Sequence, residues 1–183
     1  MFSALCRRLL PLALSAGFVF TAAPAISALG DTTNAQARHI ATFFPGRMTG
    51  SPAEMLSADY LRQQFTQMGY ESDIRSFNTR YIYTNNDNRK NWQNVTGSTV
   101  IAAHEGKDRQ QIIIMAHLDT YAPQTDADIE NNLGGLTLQG IDDNALGLGV
   151  MLELAEQLKN IPTVTTTYMD AYSAGVSSTT IYN

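Results

Sequence analysis

The stretch Gln111-Ile112-Ile113-Ile114-Met115-Ala116-His117-Leu118-Asp119-Thr120 decides how this chain is read. Its first half is a short, continuous apolar run rich in β-branched side chains, the pattern of a strand buried on both faces of a sheet. A His-x-Asp pair follows directly. In an open α/β sheet, ligands gather outside the carboxyl ends of strands. A spacing of two residues puts His117 and Asp119 on the same side. A carboxylate so placed can accept the second imidazole N–H, which fixes the tautomer and raises the basicity of the nitrogen left for a metal. Alone, the motif reads more simply as a surface histidine beside an aspartate.

C-terminal to this strand, Gly140-Ile141-Asp142-Asp143-Asn144-Ala145-Leu146-Gly147 opens a helix. Its apolar face is Leu148, Met151, Leu152, Ala155 and Leu158, and Lys159-Asn160 and Pro162 end it. An acidic residue at a helix start is by itself a cap. Paired with a strand-end His-x-Asp, it becomes an imidazole and a carboxylate able to converge on one cation.

Toward the N-terminus, Val95 to Ala103 reads as a strand, with His104 in the connection that follows and without a chemical role. Between Tyr70 and Thr84 the alternations Ile74, Ser76 and Tyr81, Tyr83 suggest two strands, and Asn85 to Asn91 a polar loop. Ser51-Pro52-Ala53-Glu54 is a capping box that opens a helix running to Met68, with Gly69 as its left-handed stop. An earlier helix starts at Asp31, carries Ala37, Ile40, Ala41 and Phe44, and is closed by Pro45-Gly46. His39 lies on it as a partly exposed helix residue.

Residues 1–25 read as a secretory signal peptide: Arg7 and Arg8, an apolar run from Leu9 to Phe20 broken by Pro11, and then Ala23-Pro24-Ala25. Cleavage is expected near Ala25 or near Ala28, leaving no membrane anchor. The single cysteine, Cys6, precedes the apolar run, so any metal must be held by His and carboxylates. The net charge of −5 and the lack of a basic stripe exclude a nucleic-acid footprint. No Gly-x-Ser-x-Gly, Gly-x-Gly-x-x-Gly or P-loop occurs, which removes the usual signals of serine hydrolases and nucleotide binders. Asp126, Asp128 and Glu130 lack the spacing of a calcium loop, and Asn94-Val95-Thr96 is assigned no modification.

From Ala37 to Asn160 the chain resembles the bacterial di-zinc aminopeptidases of the zinc exopeptidase group. The likeness rests on Ala37 to Gly50, on His117 to Thr120 and on Gly140 to Gly147. It implies an α/β fold, a three-layer sandwich with a mixed, mostly parallel sheet, here incomplete in its C-terminal half. By motif position, His117 would bind one zinc and Asp143 would bridge both zincs. Asp119 would orient His117 from behind, and Asp142 would be a neighbour. The implied reaction is removal of an N-terminal residue. The implied partners are peptide or protein N-termini, alkaline phosphatase among them, with a basic leaving residue.

The family continues with a glutamate pair, one the general base and one a zinc ligand, and with later Asp and His ligands. The stretch after Pro162 contains no glutamate and no histidine. At most one weakly bound zinc is therefore expected, and a chain of this sequence alone is expected to have little or no peptidase activity. Residues 163–183, crowded with Thr and Ser, read as a divergent tail produced by a shifted frame or a premature end, in which Thr163 to Met169 could still form a strand, after a catalytic portion spanning 31–162. The rival reading is a non-catalytic periplasmic binding or interaction module on the same scaffold.

Overall fold

Helices α1 (Asp31–Phe43) and α2 (Pro52–Gln67) lead into strands β1 (Glu71–Thr84), β2 (Lys90–His104) and β3 (Gln111–Ala116). After these come a single π-helical turn (Ile141–Ala145), helix α3 (Leu146–Leu158) and strand β4 (Thr165–Asp170). The computed structural model describes residues 28–107, 111–120, 125, 140–161 and 165–170. The expected signal peptide (residues 1–25), the acidic residues Asp126, Asp128 and Glu130, and residues 171–183 lie outside the described residues.

The strand order is β1-β2-β4-β3, with β1–β2 and β2–β4 antiparallel and β3–β4 parallel. The sheet is mixed, as expected, but among the described strands only one pairing is parallel. The cause is local: β1 and β2 are joined by the short Asn85–Arg89 turn, which can only return the chain antiparallel. β4 lies beyond the boundary expected at Pro162, yet it sits between β2 and β3 and joins them.

The expected pair of strands before Thr84 is one continuous strand, and β2 begins at Lys90 rather than Val95. Thr84 pairs with Lys90 and Glu71 with Ala103, so the hairpin is in register along its whole length. In its outer half β1 alternates only between half-buried (Thr79, Tyr81, Tyr83) and exposed positions, and β2 is exposed from Lys90 to Asn94, so the alternation read at Tyr81 and Tyr83 has no counterpart at the start of β2. His104 is the last residue of β2 rather than a loop residue, with its ring edge-on to Tyr70 at 5.8 Å.

One core joins the helices to one face of the sheet. Ala37, Ile40 and Ala41 from α1, Ala58, Leu61 and Phe65 from α2, and Leu148, Met151, Leu152 and Ala155 from α3 meet Val100 and Ala102 of β2. Fully burying a Leu or Phe side chain contributes about 1.5–3 kcal/mol, so this face accounts for much of the fold's driving force. β3, expected to be buried on both faces, is not: Ile112, Ile113 and Met115 are exposed and only Ile114 and Ala116 are half-buried, because no described element covers the face opposite the helices. The described residues thus supply two layers of the expected three.

The helix ends follow the sequence, with one difference. Ser51 Oγ accepts from Glu54 N at 3.1 Å, and Gly69 takes φ +92° after α2. Glu54 does not close the box on Ser51, whose N–H is already given to Met48 O. Its carboxylate instead takes Gly50 N at 3.0 Å and Ser98 N at 2.7 Å, tying the start of α2 to β2.

Candidate metal centre

His117 is the first residue after β3, so the end of the strand carries its ring to the rim of the sheet. Asp143 arrives from the π-helical turn before α3. Its backbone is non-helical (φ −131°, ψ 80°), and no side-chain cap bond forms at the start of the turn or of α3. His117 Nε2 and Asp143 Oδ1 stand 2.8 Å apart, the convergence that the two sequence motifs imply. Asp142 is exposed beside it, a neighbour as expected.

The other ring nitrogen faces Asp119 twice. Nδ1 lies 3.0 Å from the Asp119 carbonyl oxygen and 3.4 Å from its carboxylate Oδ1. The main chain therefore shares in orienting the ring, and does so at shorter range than the side chain assigned that role from sequence. Asp119 is buried, and its Oδ2 accepts from Thr49 Oγ1 at 3.1 Å. His39 stacks on Tyr60 at 4.6 Å, away from this site and in keeping with its reading as a plain helix residue.

These contacts test whether a cation fits. Both ring nitrogens look at oxygen acceptors: Asp119 on one side, the Asp143 carboxylate on the other. A neutral imidazole has one N–H, so one of these contacts must be bridged by a second proton or a positive ion. If Nδ1–H is donated to Asp119, Nε2 and Asp143 Oδ1 both present lone pairs to the space between them, the arrangement of two ligands on one metal. Donors on a tetrahedral zinc stand about 3.3 Å apart, which requires only a small widening of the 2.8 Å contact. The pair fits part of a zinc site. Among the described residues no group of three or more His, Cys, Asp or Glu could hold a metal.

A buried link between α1 and α2 supports both ligand-bearing segments, and sequence reasoning assigned it nothing. Arg47 is fully buried and its N–H groups reach only main-chain carbonyls: Leu118 O (3.1 Å), Gly140 O (3.1 Å), Phe44 O (3.0 Å) and Ile40 O (3.4 Å). Burial lowers its guanidinium to about 10, partly offset by Asp119, so it stays charged at neutral pH. Glu54 is buried as well, and desolvation raises its carboxyl above the usual range against the pull of its two backbone N–H donors. A lone arginine between Pro45-Gly46 and Met48-Thr49-Gly50 carries no periodic or motif signal.

Two glycines make the turn possible. Gly140 adopts φ +71°, and a Cβ there would meet Thr120 Cγ2. A Cβ on Gly147 would run into the Asn144 side-chain amide, which reaches back toward His117 O at 3.4 Å.

Residues 99–170, which include β3, the site and β4, match the model of peptidase family M28. The alkaline phosphatase isozyme conversion protein of Escherichia coli (strain K12) is 74% identical over 163 residues, covering 89% of this chain and 47% of that protein. Residues 99–170 carry an M28 peptidase-family domain. The chain spans about half the length of this curated relative. The family match also runs past Pro162 to Asp170, so β4 belongs to it.

Solved structures place the fold. A glutaminyl cyclase of Tannerella forsythia superposes with a TM-score of 0.55 at 18% identity, over 84% of this chain and 50% of that one. A Zn-dependent exopeptidase of Parabacteroides distasonis gives 0.51 at 20%, over 81% and 50%. The aminopeptidase of Aneurinibacillus sp. strain AM-1 gives 0.55 at 13%, over 77% and 64%. At such identities the likeness is one of fold.

Proposed function

We propose that the whole protein is an exported zinc aminopeptidase and that this chain contributes His117 and Asp143 to its metal centre. The observation that carries the reading is the 2.8 Å approach of His117 Nε2 to Asp143 Oδ1 from two separate elements. The M28 family domain and a Zn-dependent exopeptidase among the structures of like fold support a metallopeptidase.

Each residue has a distinct task. His117 would offer Nε2 as a ligand while Nδ1–H is held by Asp119. Asp143, largely exposed at the lip of the turn, would offer a carboxylate that two zinc ions can share. Zinc, when bound, supplies Lewis-acid polarisation of a peptide carbonyl and activation of water. Thr49 keeps the Asp119 carboxylate aimed at the ring.

The substrates we propose are peptide or protein N-termini. The name of the 74% identical relative refers to conversion of alkaline phosphatase isozymes, which supports alkaline phosphatase as a substrate here too. The apolar run at Leu9 to Phe20 behind Arg7 and Arg8 supports export to the periplasm.

Metal titration with hydrolysis of an aminoacyl anilide tests the reading. With His117 and Asp143 as the ligands, a polypeptide of these 183 residues should bind one zinc weakly and turn over little or no anilide. His117→Ala and Asp143→Ala should each remove that binding. Tight uptake of two zincs would contradict the ligand assignment. Binding indifferent to His117→Ala would leave a non-catalytic module on a peptidase scaffold.

A further inference from the structure

We propose that Arg47 is a positioning residue of the metal centre, holding the segment after β3 and the turn before α3 at the separation that lets His117 and Asp143 share a cation. The inference rests on the metal centre proposed above. It concerns a side chain outside the ligand set.

The geometry is a clamp with three closures. Arg47 Nε donates to Leu118 O, the peptide that follows His117, at 3.1 Å. Arg47 Nη2 donates to Gly140 O at 3.1 Å, and that same carbonyl accepts Ala145 N at 2.9 Å to close the turn that carries Asp143. In return, Thr120 N donates to Arg47 O at 2.9 Å, which fixes the segment on the far side of Asp119. One residue therefore bonds both ligand-bearing segments. Nη1 anchors the clamp to the end of α1 through Phe44 O and Ile40 O, where the helix dipole favours a cation.

The choice of residue points to placement rather than bulk stability. Burying a guanidinium costs more than burying an apolar side chain of the same volume, so a buried arginine is a poor device for stability alone. Its rigid, planar fork can instead hold several carbonyls at fixed angles, which an ammonium cannot do. Besides the His117–Asp143 approach itself, the described residues add between the two segments the longer Asn144 Nδ2 to His117 O contact at 3.4 Å.

Titration of the purified full chain with cobalt(II), read by its visible absorption, tests this directly. Arg47→Met should weaken cobalt binding by about tenfold or more, the usual size for loss of a partner behind a metal ligand, and alter the band shape. Arg47→Lys should fall between Arg47→Met and the unaltered chain. Tyr70→Phe, which removes the buried bond from Tyr70 Oη to Ala155 O, serves as the control. It should lower the melting temperature with no change in cobalt affinity. Unaltered affinity and spectrum in Arg47→Met would overturn the proposal, as would Tyr70→Phe weakening the metal as much. If Arg47→Met fails to fold, Arg47→Lys decides, and unaltered affinity there overturns the proposal. Binding that depends on His117 but not on Arg47 defeats the clamp alone, whereas cobalt binding absent or unaffected by His117→Ala defeats the metal centre and the clamp together.

Discussion

The link between α1 and α2 and the outer half of the β1–β2 hairpin are both short of apolar residues, yet they do opposite things. In the link and the first turn of α2, Arg47, Thr49 and Glu54 are buried and each bonds a specific partner. In the hairpin, Arg80 lies over the exposed Trp92 ring at 4.4 Å and the strands pair in open solvent. Polarity therefore does not report position. What separates the two regions is whether water can replace a lost partner, because an unsatisfied buried group keeps its full desolvation cost.

That contrast can be broken most forcefully at Glu54. A glutamine keeps one acceptor and turns N–H groups toward Gly50 N or Ser98 N, so Glu54→Gln should cost about 1–3 kcal/mol in urea unfolding. In the hairpin, Trp92→Ala should cost about 0.5–1 kcal/mol, the range for an exposed cation–π contact. Amide exchange should speed up in the outer strands and stay unchanged at Val100 and Ala102. Equal losses at the two sites would erase the distinction.

A finer test compares two carboxylates by pH. Desolvation raises Glu54, whereas the Thr33 hydroxyl and the N–H groups of Gly30 and Thr33 lower Glu153. A raised folded value makes the group's contribution present below its unfolded value near 4.5 and lost as pH rises through the folded one. A lowered value makes it present above about 4.5 and lost as pH falls through the folded one. Unfolding profiles across the acid range should therefore become less steep toward acid in Glu153→Gln and steeper in Glu54→Gln. Profiles that shift in the same direction would show that the two sites do not differ in this way.

Much of the scaffold was legible because burial leaves a period. The stripes Ala37, Ile40, Ala41 and Leu148, Met151, Leu152, Ala155 are the buried faces of α1 and α3. Ser51-Pro52 marks the start of α2 to the residue. The start of the hairpin's second strand escaped this reading because Lys90 to Asn94 are exposed and so have no period to show. The place of β4 between β2 and β3 escaped it because strand order is set by long-range pairing, which a local pattern does not encode. The candidate site divides the same way. His117 and Asp143 stood out as motif residues, while Arg47, whose partners are four backbone carbonyls, could not, since every residue in a chain offers a carbonyl.

The sequence by itself determined which segments are helical, where an apolar strand ends, and that an imidazole follows that strand and a carboxylate precedes a helix. Only the tertiary structure decided that they meet at 2.8 Å, that the main chain of Asp119 helps to aim the ring, and that a buried arginine bonds the segments carrying them. The reason is range. Periodicity records what each residue does relative to solvent, whereas a site is a set of distances between segments far apart in the chain, fixed only when the core between them has closed.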